Sequence, residues 1–270
     1  MDFENQEMLE HFFNKRQTMP MLREEFMKMP EVLDRISTSG LDSEFCMDLL
    51  CHMALAKRHT PSALIGLLKK HFWSFQETAE ALEQAVHKDL VDFDLKTEQF
   101  ILVFDVGAKN HELIRQYQYL PPMIVPPLNV KKNRGSGYLT IRNDSLMLKD
   151  THNHHDGDLC LDSLNKFNQI PLSVNTDVVK SIRNEWKNID SMKPDETFQD
   201  FKKRLAAFEK YEKDSFFTIA LMEEMGNRFY LTHKSDKRGR TYCQGYYITY
   251  QGNSWNKSMI EFADKETLEM

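Results

Sequence analysis

The residues with the clearest chemical potential form the pentapeptide Asp236-Lys237-Arg238-Gly239-Arg240. Three basic side chains surround one glycine, and the carboxylate of Asp236 lies close enough in sequence to orient a neighbouring arginine. Because glycine has no side chain, it also allows a backbone to approach a ligand closely. This combination predicts a site for phosphate groups. A charged turn ahead of a buried strand is the alternative interpretation.

A second basic group precedes a glycine loop. Lys131, Lys132 and Arg134 run directly into Gly135 and Gly137. Upstream, the prolines between residues 121 and 127 disfavour helix and favour an extended crossing. A glycine loop flanked by cations is able to approach a nucleic-acid backbone.

Residues 191–227 have the pattern of two helices. Pro194 begins the first one, and a second helical stretch from Ser215 to Met225 ends at Gly226. The run Thr241 to Tyr250 that follows the pentapeptide is typical of a strand. Apolar and basic side chains mark two faces of the first helix, namely Phe198, Phe201, Leu205, Phe208 and Tyr211 on one and Lys202, Lys203, Arg204 and Lys210 on the other.

A net charge of −6 is unusual for a nucleic-acid-binding protein, but the charged residues are unevenly distributed along the chain. Residues 1–100 carry 11 basic and 18 acidic side chains, whereas the remaining residues carry 24 and 23. Basic residues clustered around one cleft can attract phosphates while the rest of the surface stays acidic.

No apolar run is long enough to span a membrane, and the start of the chain is too acidic for a signal peptide. We therefore expect a cytoplasmic protein with reduced cysteines.

Residues 1–120 are expected to form a helical domain, with helices over 3–14, 20–36 and 42–58. Residues 60–104 contain two helices and a hairpin with its tip at 96–98, which is a winged-helix arrangement. The second of these helices carries Glu77, Glu80 and Glu83 and no lysine or arginine between residues 75 and 87. This favours a role in packing or subunit contact over reading of a DNA groove. Action of the hairpin tip on upstream DNA is a further alternative.

Several metal-ligand types occur together between residues 151 and 160, including His152, His154 and His155. Neighbouring histidines seldom converge on one ion without a second ligand cluster, and the sequence offers none. A solvated loop is therefore favoured over a metal site.

Together these motifs resemble the single-subunit RNA polymerases of phages and mitochondria. The Asp-x-x-Gly-Arg element followed by Thr241-Tyr242, and the later Tyr-Gln-Gly-Asn and Lys-Ser-Met-Ile-Glu-Phe-Ala runs, match the entrance to the palm of that family. A Pro-Pro-x-x-x-Pro-Pro run before a glycine loop is a further match. Leu172 stands where a tryptophan is usual in the family, so the third motif departs from the pattern.

The resemblance implies a division of the chain and a role for each basic cluster. Residues 121–190 would connect the domains, 191–227 would form the thumb and 228–270 would begin the palm. Asp236 to Arg240, the glycine loop with its cations, and Lys203 on the thumb would contact template DNA and the RNA–DNA hybrid.

The family's catalytic aspartates and fingers are not found in this sequence, so no catalytic or metal-binding residue is assigned. The resemblance then implies the small subunit of a heterodimeric phage polymerase acting in the infected bacterial cytoplasm. A large subunit would hold Mg²⁺, template DNA and nascent RNA would be partners, and an accessory DNA-binding recruiter is a further candidate. Apolar residues after Gly239, such as Tyr247, Trp255 and Phe262, are expected to face the large subunit.

The predicted fold class is α+β, mainly α, with a helical amino-terminal domain, a hairpin, a helical thumb and the first strands of a palm completed by a partner. Two other functions remain open. A winged-helix transcription regulator would bind DNA through residues 60–104. A single-stranded nucleic-acid binding module would stack bases on tyrosines such as Tyr242, Tyr246, Tyr247 and Tyr250.

Overall fold

The computed structural model describes residues 2–116, 119–141, 145–148, 157, 159–186 and 189–265. Its helices and small antiparallel sheets agree with the predicted α+β class. The chain divides into two compact units, Asn14–Gln118 and Met1–Phe13 with Tyr119–Met270. Helix α1 (Asp2–Phe12) thus groups with the second unit, although the sequence pattern placed residues 1–120 in one domain.

The first unit is built around α4, most of whose side chains are buried. Asp42 begins this helix by accepting a hydrogen bond from the backbone N–H of Phe45 at 2.8 Å. The predicted helix over 20–36 is instead divided in two, because Met29 is extended and Pro30 begins a new helix. The helices are α2 (Met19–Met27), α3 (Pro30–Ser39), α4 (Ser43–Ala56), α5 (Pro61–Leu68), α6 (Phe75–His87) and α7 (Ala108–Gln116).

The predicted order of two helices and a hairpin is present in this unit. Strand β1 (Arg58–His59) precedes α5, and the hairpin of β2 (Val91–Asp94) and β3 (Gln99–Leu102) follows α6. The strands form an antiparallel sheet in the order β1-β3-β2, so β1 adds a third strand to the predicted hairpin. At the start of α6, Ser74 accepts a hydrogen bond from Glu77 N–H, which is the capping bond that the local sequence Ser74-x-x-Glu77 favours.

The second unit combines α1 with further short elements and one long helix. Its elements after residue 119 are α8 (Leu161–Asn168), β4 (Leu172–Val174), α9 (Thr176–Ser181), α10 (Phe198–Glu224), β5 (His233–Ser235), β6 (Thr241–Cys243), α11 (Ser254–Ser258) and β7 (Ile260–Phe262). Strands β4 and β7 pair antiparallel, as do β5 and β6.

Extended segments connect these strand pairs through backbone hydrogen bonds. Tyr230 exchanges backbone hydrogen bonds of 2.7 and 2.9 Å with Met123 in the proline-rich crossing. Its neighbour Phe229 exchanges bonds of 2.9 and 2.8 Å with Leu172 of β4. The segment before the pentapeptide is therefore held on both sides before it enters β5.

Three sequence expectations for this unit are wrong. The two predicted helices after residue 193 are one helix of 27 residues, because nothing between Phe198 and Glu224 interrupts it. The run from Thr241 to Tyr250 is a strand only as far as Cys243. Trp255, expected on a surface for a partner, is 2% exposed and belongs to the core, whereas Phe262 is 64% exposed.

Candidate nucleic-acid interface

The pentapeptide forms the turn between β5 and β6. Gly239 N–H donates to the Asp236 carbonyl at 2.9 Å, and Asp236 N–H donates to the Arg240 carbonyl at 2.9 Å. Gly239 has φ +81°, and a Cβ added there would meet no atom within 4 Å. Within this chain the glycine is therefore required by the left-handed backbone of the turn, and the space beside it is open.

The carboxylate of Asp236 organises the whole turn. Its Oδ1 accepts the backbone N–H groups of Arg238 and Arg240 at 2.9 and 3.0 Å. Its Oδ2 accepts the Arg240 guanidinium through Nε at 2.7 Å and Nη2 at 2.6 Å, and the Tyr242 hydroxyl at 3.1 Å. The Asp236 side chain is only 15% exposed, whereas those of Arg240 and Arg238 are 53% and 71% exposed. The carboxylate thus lies beneath two arginines that it directs outward.

These contacts keep the ion pair charged. Partial burial favours a higher pKa for Asp236, but the backbone and guanidinium donors of Arg240 and the Tyr242 hydroxyl outweigh it and lower the pKa. The hydrogen bond to Asp236 raises the pKa of Arg240, with a further contribution from Tyr242. The Arg240 guanidinium also lies over the Tyr242 ring at 5.6 Å from its centroid.

A short segment, residues 145–148, lies between the strand that leads into this turn and the second basic group. Ser145 forms an antiparallel bridge with Arg134, and Leu146 N–H donates to the Asn133 carbonyl at 3.0 Å. On its other side, Leu148 N–H donates to the Ser235 carbonyl at 2.9 Å, and Ser235 N–H donates to the Leu146 carbonyl at 2.9 Å. The backbone at Arg134 is therefore separated from the strand that leads into the turn by one intervening segment, a lateral distance of about 10 Å.

This arrangement brings together cations that are about 100 residues apart in the sequence. Lys131, Lys132 and Arg134 are exposed, and the backbone of Arg134 is joined through residues 145–148 to the strand that leads into the turn carrying Arg238 and Arg240. Within the described residues, neither these three side chains nor Lys237 forms an ion pair. The resulting basic surface, defined here as Lys131, Lys132, Arg134, Lys237, Arg238 and Arg240, is the main positively charged feature of the site.

The two glycines of the loop have different environments. A Cβ at Gly137 would lie 3.1 Å from Pro127 Cβ and 3.2 Å from Thr232 Cγ2, and the residue is buried with φ +80°. Its own packing accounts for this glycine, so we leave Gly137 out of the basic surface. Gly135 is half-buried with φ +144° and meets only Val130.

A buried carboxylate positions the segment after the loop. Glu10 of α1 is 1% exposed. It accepts the backbone N–H groups of Leu139 and Thr140 at 2.8 and 2.7 Å and the Thr140 hydroxyl at 2.6 Å. Helix α1 therefore anchors the loop that carries the basic residues.

Two further cations, Arg228 and Lys203, lie outside the basic surface. Arg228 forms a two-pronged pair with Asp264, with nitrogen–oxygen distances of 2.5 and 3.0 Å, so its charge is neutralised within the chain. Lys203 lies in the first part of α10, 78% exposed and 3.6 Å from Asp200. No contact among the described residues joins Lys203 to the basic surface.

Strand β5, which leads into the turn, is fixed by a buried histidine. His233 is 2% exposed. Its Nδ1 donates to Asn168 Oδ1 at 2.8 Å, and its Nε2 accepts from the Tyr250 hydroxyl at 2.6 Å. Burial lowers the pKa of His233 to about 4, so the ring is neutral at pH 7.

The tyrosines considered as stacking platforms have other partners. Tyr246 stacks on Tyr119 with ring centroids 3.6 Å apart, and the Tyr247 hydroxyl donates to Asp214 at 3.3 Å. Tyr250 bonds His233, and Tyr242 bonds Asp236. Tyr246 alone of these four is classed as exposed.

Sequence reasoning missed the contributions of Tyr242, Glu10 and residues 145–148. Tyr242 could have been found, because it lies two residues after Arg240, where the chain leaves the turn and enters β6, and residues two apart in an extended chain share a face. The other two depend on contacts across 129 residues and across 87 to 89 residues, for which the local pattern carries no signal.

Among the described residues, no group of three or more potential ligands could hold a metal ion. The histidines at 152, 154 and 155 lie outside the described residues. In the same portion of the chain, no helix is long and apolar enough to cross a membrane.

The exposed arginines of this turn and the exposed cations of the glycine loop form a basic surface, which is chemistry suited to anions such as phosphate. No family model matches the chain. The chain is similar to a protein named probable DNA-directed RNA polymerase from Gelasinospora sp. (strain G114), with 26% identity over 160 residues. The alignment covers 55% of this chain and 17% of that relative's length. This similarity supports a relation to DNA-directed RNA polymerases.

Proposed function

We propose that this chain is the nucleic-acid-binding subunit of a two-chain, phage-type DNA-directed RNA polymerase. In this proposal the basic surface holds the phosphates of the template and nascent RNA, and α10 serves as the thumb with Lys203 on its exposed side. A large partner chain supplies the metal-binding aspartates and the fingers, so this chain is inactive alone. The site of action is the cytoplasm of an infected bacterium.

The observation that carries the proposal is the geometry of Asp236. This carboxylate holds the Arg240 guanidinium in one orientation, so less conformational entropy is lost when a phosphate binds. Three more exposed cations lie on the glycine loop, and one of them, Arg134, is separated from the strand that leads into the turn by a single intervening segment. The similarity to a protein named as an RNA polymerase supports a role of this surface in transcription.

The role of this chain is binding and positioning. Arg240 and Arg238 would neutralise backbone phosphates, and the Asp236 carboxylate would keep Arg240 from folding back onto the protein. Mg²⁺, held by the partner, would stabilise the negative charge on the phosphate that is being transferred. An accessory DNA-binding recruiter remains a proposed additional partner.

The winged-helix alternative is opposed by charge. The exposed side chains of α6 include Glu77, Glu80 and Glu83, which repel phosphates. Lys70, which lies just before α6, is 2.5 Å from Asp48 and so is neutralised in part. A regulator of this kind would bind duplex DNA through the first unit without any partner enzyme.

The decisive experiment is RNA synthesis on a primed single-stranded template with nucleotides and Mg²⁺. We expect no product from the purified chain alone and template-dependent RNA once the large chain is added. Synthesis by the isolated chain would contradict the division of labour. Failure of the two chains together, when each is folded, would contradict the polymerase function itself.

A matched control separates this function from the alternatives. The triple variant Glu77→Gln, Glu80→Gln and Glu83→Gln removes the acidic face of α6 without altering the basic surface. We expect it to leave extension unchanged. Specific duplex binding by the chain alone, dependent on α6 and independent of Arg240, would instead support a regulator.

A further inference from the structure

Strand β7 has one edge that is not paired within the described residues. Asn175 N–H donates to the Met259 carbonyl at 2.7 Å, and Ala263 N–H donates to the Pro171 carbonyl at 3.0 Å. Only every second residue of β7 therefore hydrogen-bonds to β4, because hydrogen-bonded positions alternate along an antiparallel pair. The N–H and C=O groups of Ile260 and Phe262 consequently point away from β4.

The other side of β4 is already occupied. Leu172 exchanges two backbone bonds with Phe229, at 2.8 and 2.9 Å. Val174 donates to and accepts from the side-chain amide of Asn227, both at 2.9 Å. Strand β4 is therefore internal, and β7 is the edge of this small sheet. Among the described residues, Ile260 and Phe262 have no backbone partner on their outer side.

An apolar pocket of about 410 Å³ lies next to this edge. Phe262, which is 64% exposed, borders it. Natural edge strands are commonly protected by lysine, proline or a bulge, by charged side chains, or by being very short. The Ile260-Glu261-Phe262 strand is short and carries Glu261, but it has no lysine, proline or bulge. The pocket is lined by Phe167, Ile170, Leu172, His233, Tyr250 and Ile260 together with Glu261 and Phe262.

Charge does not favour nucleic acid as the occupant. Two cations beside this edge are neutralised, because Arg228 is paired with Asp264 and Lys265 Nζ lies 2.8 Å from Glu261 Oε1. Open backbone groups on alternate residues fit an extended polypeptide, which adds to a sheet by main-chain hydrogen bonds. The apolar pocket would then take one side chain of that segment.

We propose that the outer edge of β7 receives an extended segment of the catalytic partner chain, with one apolar side chain of that segment in the adjoining pocket. This inference rests on the proposed function, which supplies the partner. It assigns the docking site to Ile260, Phe262 and the pocket, whereas Trp255 has no part in it because it is buried.

The test compares two variants of one residue in the full chain. Phe262→Ala removes the side chain and keeps the outward N–H, whereas Phe262→Pro also removes that N–H. Because this N–H is not used by β4, both variants should fold, and thermal unfolding of each should be measured first. Affinity is then measured by surface capture with the polymerase-like chain from the same genome that carries the two aspartates.

We expect Phe262→Pro to bind roughly tenfold more weakly than Phe262→Ala, because a carbonyl of the added strand loses its donor. Extension of a primed template should recover when the partner is in large excess. Equal affinities for the alanine and proline variants would overturn the edge pairing while RNA extension by the wild-type pair would still support the proposed function. Absence of any complex or product with the wild-type chain would remove both.

Amide hydrogen exchange provides an independent measurement. The N–H groups of Ile260 and Phe262 should exchange rapidly in the free chain and at least tenfold more slowly in the complex. Slow exchange in the dilute free chain would mean that the chain covers its own edge. Slow exchange that develops with increasing concentration of the chain alone would identify a second copy as the occupant. Either result overturns the proposal.

Discussion

Asp236 holds the Arg240 guanidinium through a single carboxylate oxygen: Oδ2 accepts both Nε at 2.7 Å and Nη2 at 2.6 Å. The carboxylate is mostly buried and the guanidinium is about half exposed. Because Nη1 of Arg240 has no partner among the described residues, one edge of the guanidinium remains available for an anion. The buried acid thus directs the exposed base outward.

Arg240→Ala tests whether this arginine contacts a phosphate. Loss of one such contact should lower the slope of log affinity against log salt by roughly 0.7 to 0.9. Short abortive RNAs should increase, because the hybrid is held less firmly. Arg240→Lys should recover only part of the function, since a point charge does not reproduce the guanidinium geometry. Salt titration and transcription by the assembled mutant measure both effects.

The control for this variant is Lys28→Ala, which removes an exposed cation already paired with Glu24 in the first unit. Its salt slope and product lengths should equal those of the wild type. If Arg240→Ala also matches the wild type, Asp236 to Arg240 is a charged turn without a nucleic-acid role.

Substitutions of Gly239 distinguish two reasons for a glycine at this position, namely the left-handed backbone of the turn and the close approach of a ligand. Gly239→Ala should cost roughly 1 kcal/mol, because alanine is disfavoured at φ +81° although no atom blocks its Cβ. Gly239→Asn tolerates that backbone better, so its stability should be nearer to the wild type. If nucleic acid approaches the glycine, the asparagine variant folds normally and still binds weakly. Normal folding and normal binding by Gly239→Asn would assign the glycine to the turn alone.

The two parts of the basic surface should act on one nucleic acid. Arg134→Ala and Arg240→Ala together are expected to reduce the salt slope by the sum of their separate effects, roughly 1.4 to 1.8. The same pair should lower extension on a primed template more than either single change. Lys203→Ala is the comparison on α10. A double variant with the slope of Arg240→Ala would show that the glycine loop contacts no phosphate.

His233 should make the second unit sensitive to acid. Its folded-state pKa of about 4 lies below the usual value of 6.5, so the unfolded chain binds the proton more readily between these two values. The free energy of unfolding should therefore fall as the pH decreases from 6.5 to 4, by roughly 3 kcal/mol for this group. Urea unfolding followed by tryptophan fluorescence at several pH values measures the change.

His233→Gln removes the titrating ring and should flatten this part of the pH profile at the cost of a lower stability at pH 7. Tyr250→Phe keeps the histidine and removes the hydroxyl that donates to Nε2. It should retain a pH dependence. An unchanged profile in His233→Gln would assign the acid sensitivity to other groups.

Local signals in the sequence determined several features of this protein. Ser74 caps α6, the hairpin reverses near residues 95–98, and Gly239 closes the turn at the pentapeptide. Each depends on interactions within a few residues, which residue type and spacing describe well. The orienting role of Asp236 for Arg240 belongs to the same group, since four residues separate them.

Only the tertiary structure decided which side chains share a surface. Residues 145–148 bring Arg134 beside the turn, and Glu10 holds the loop from 129 residues away. It also decided that Trp255 is core and Phe262 is exposed, although both are large apolar residues seven positions apart. Sequence patterns report the hydrophobicity of a side chain. Burial also depends on what the rest of the chain places over it, and that is a property of long-range packing.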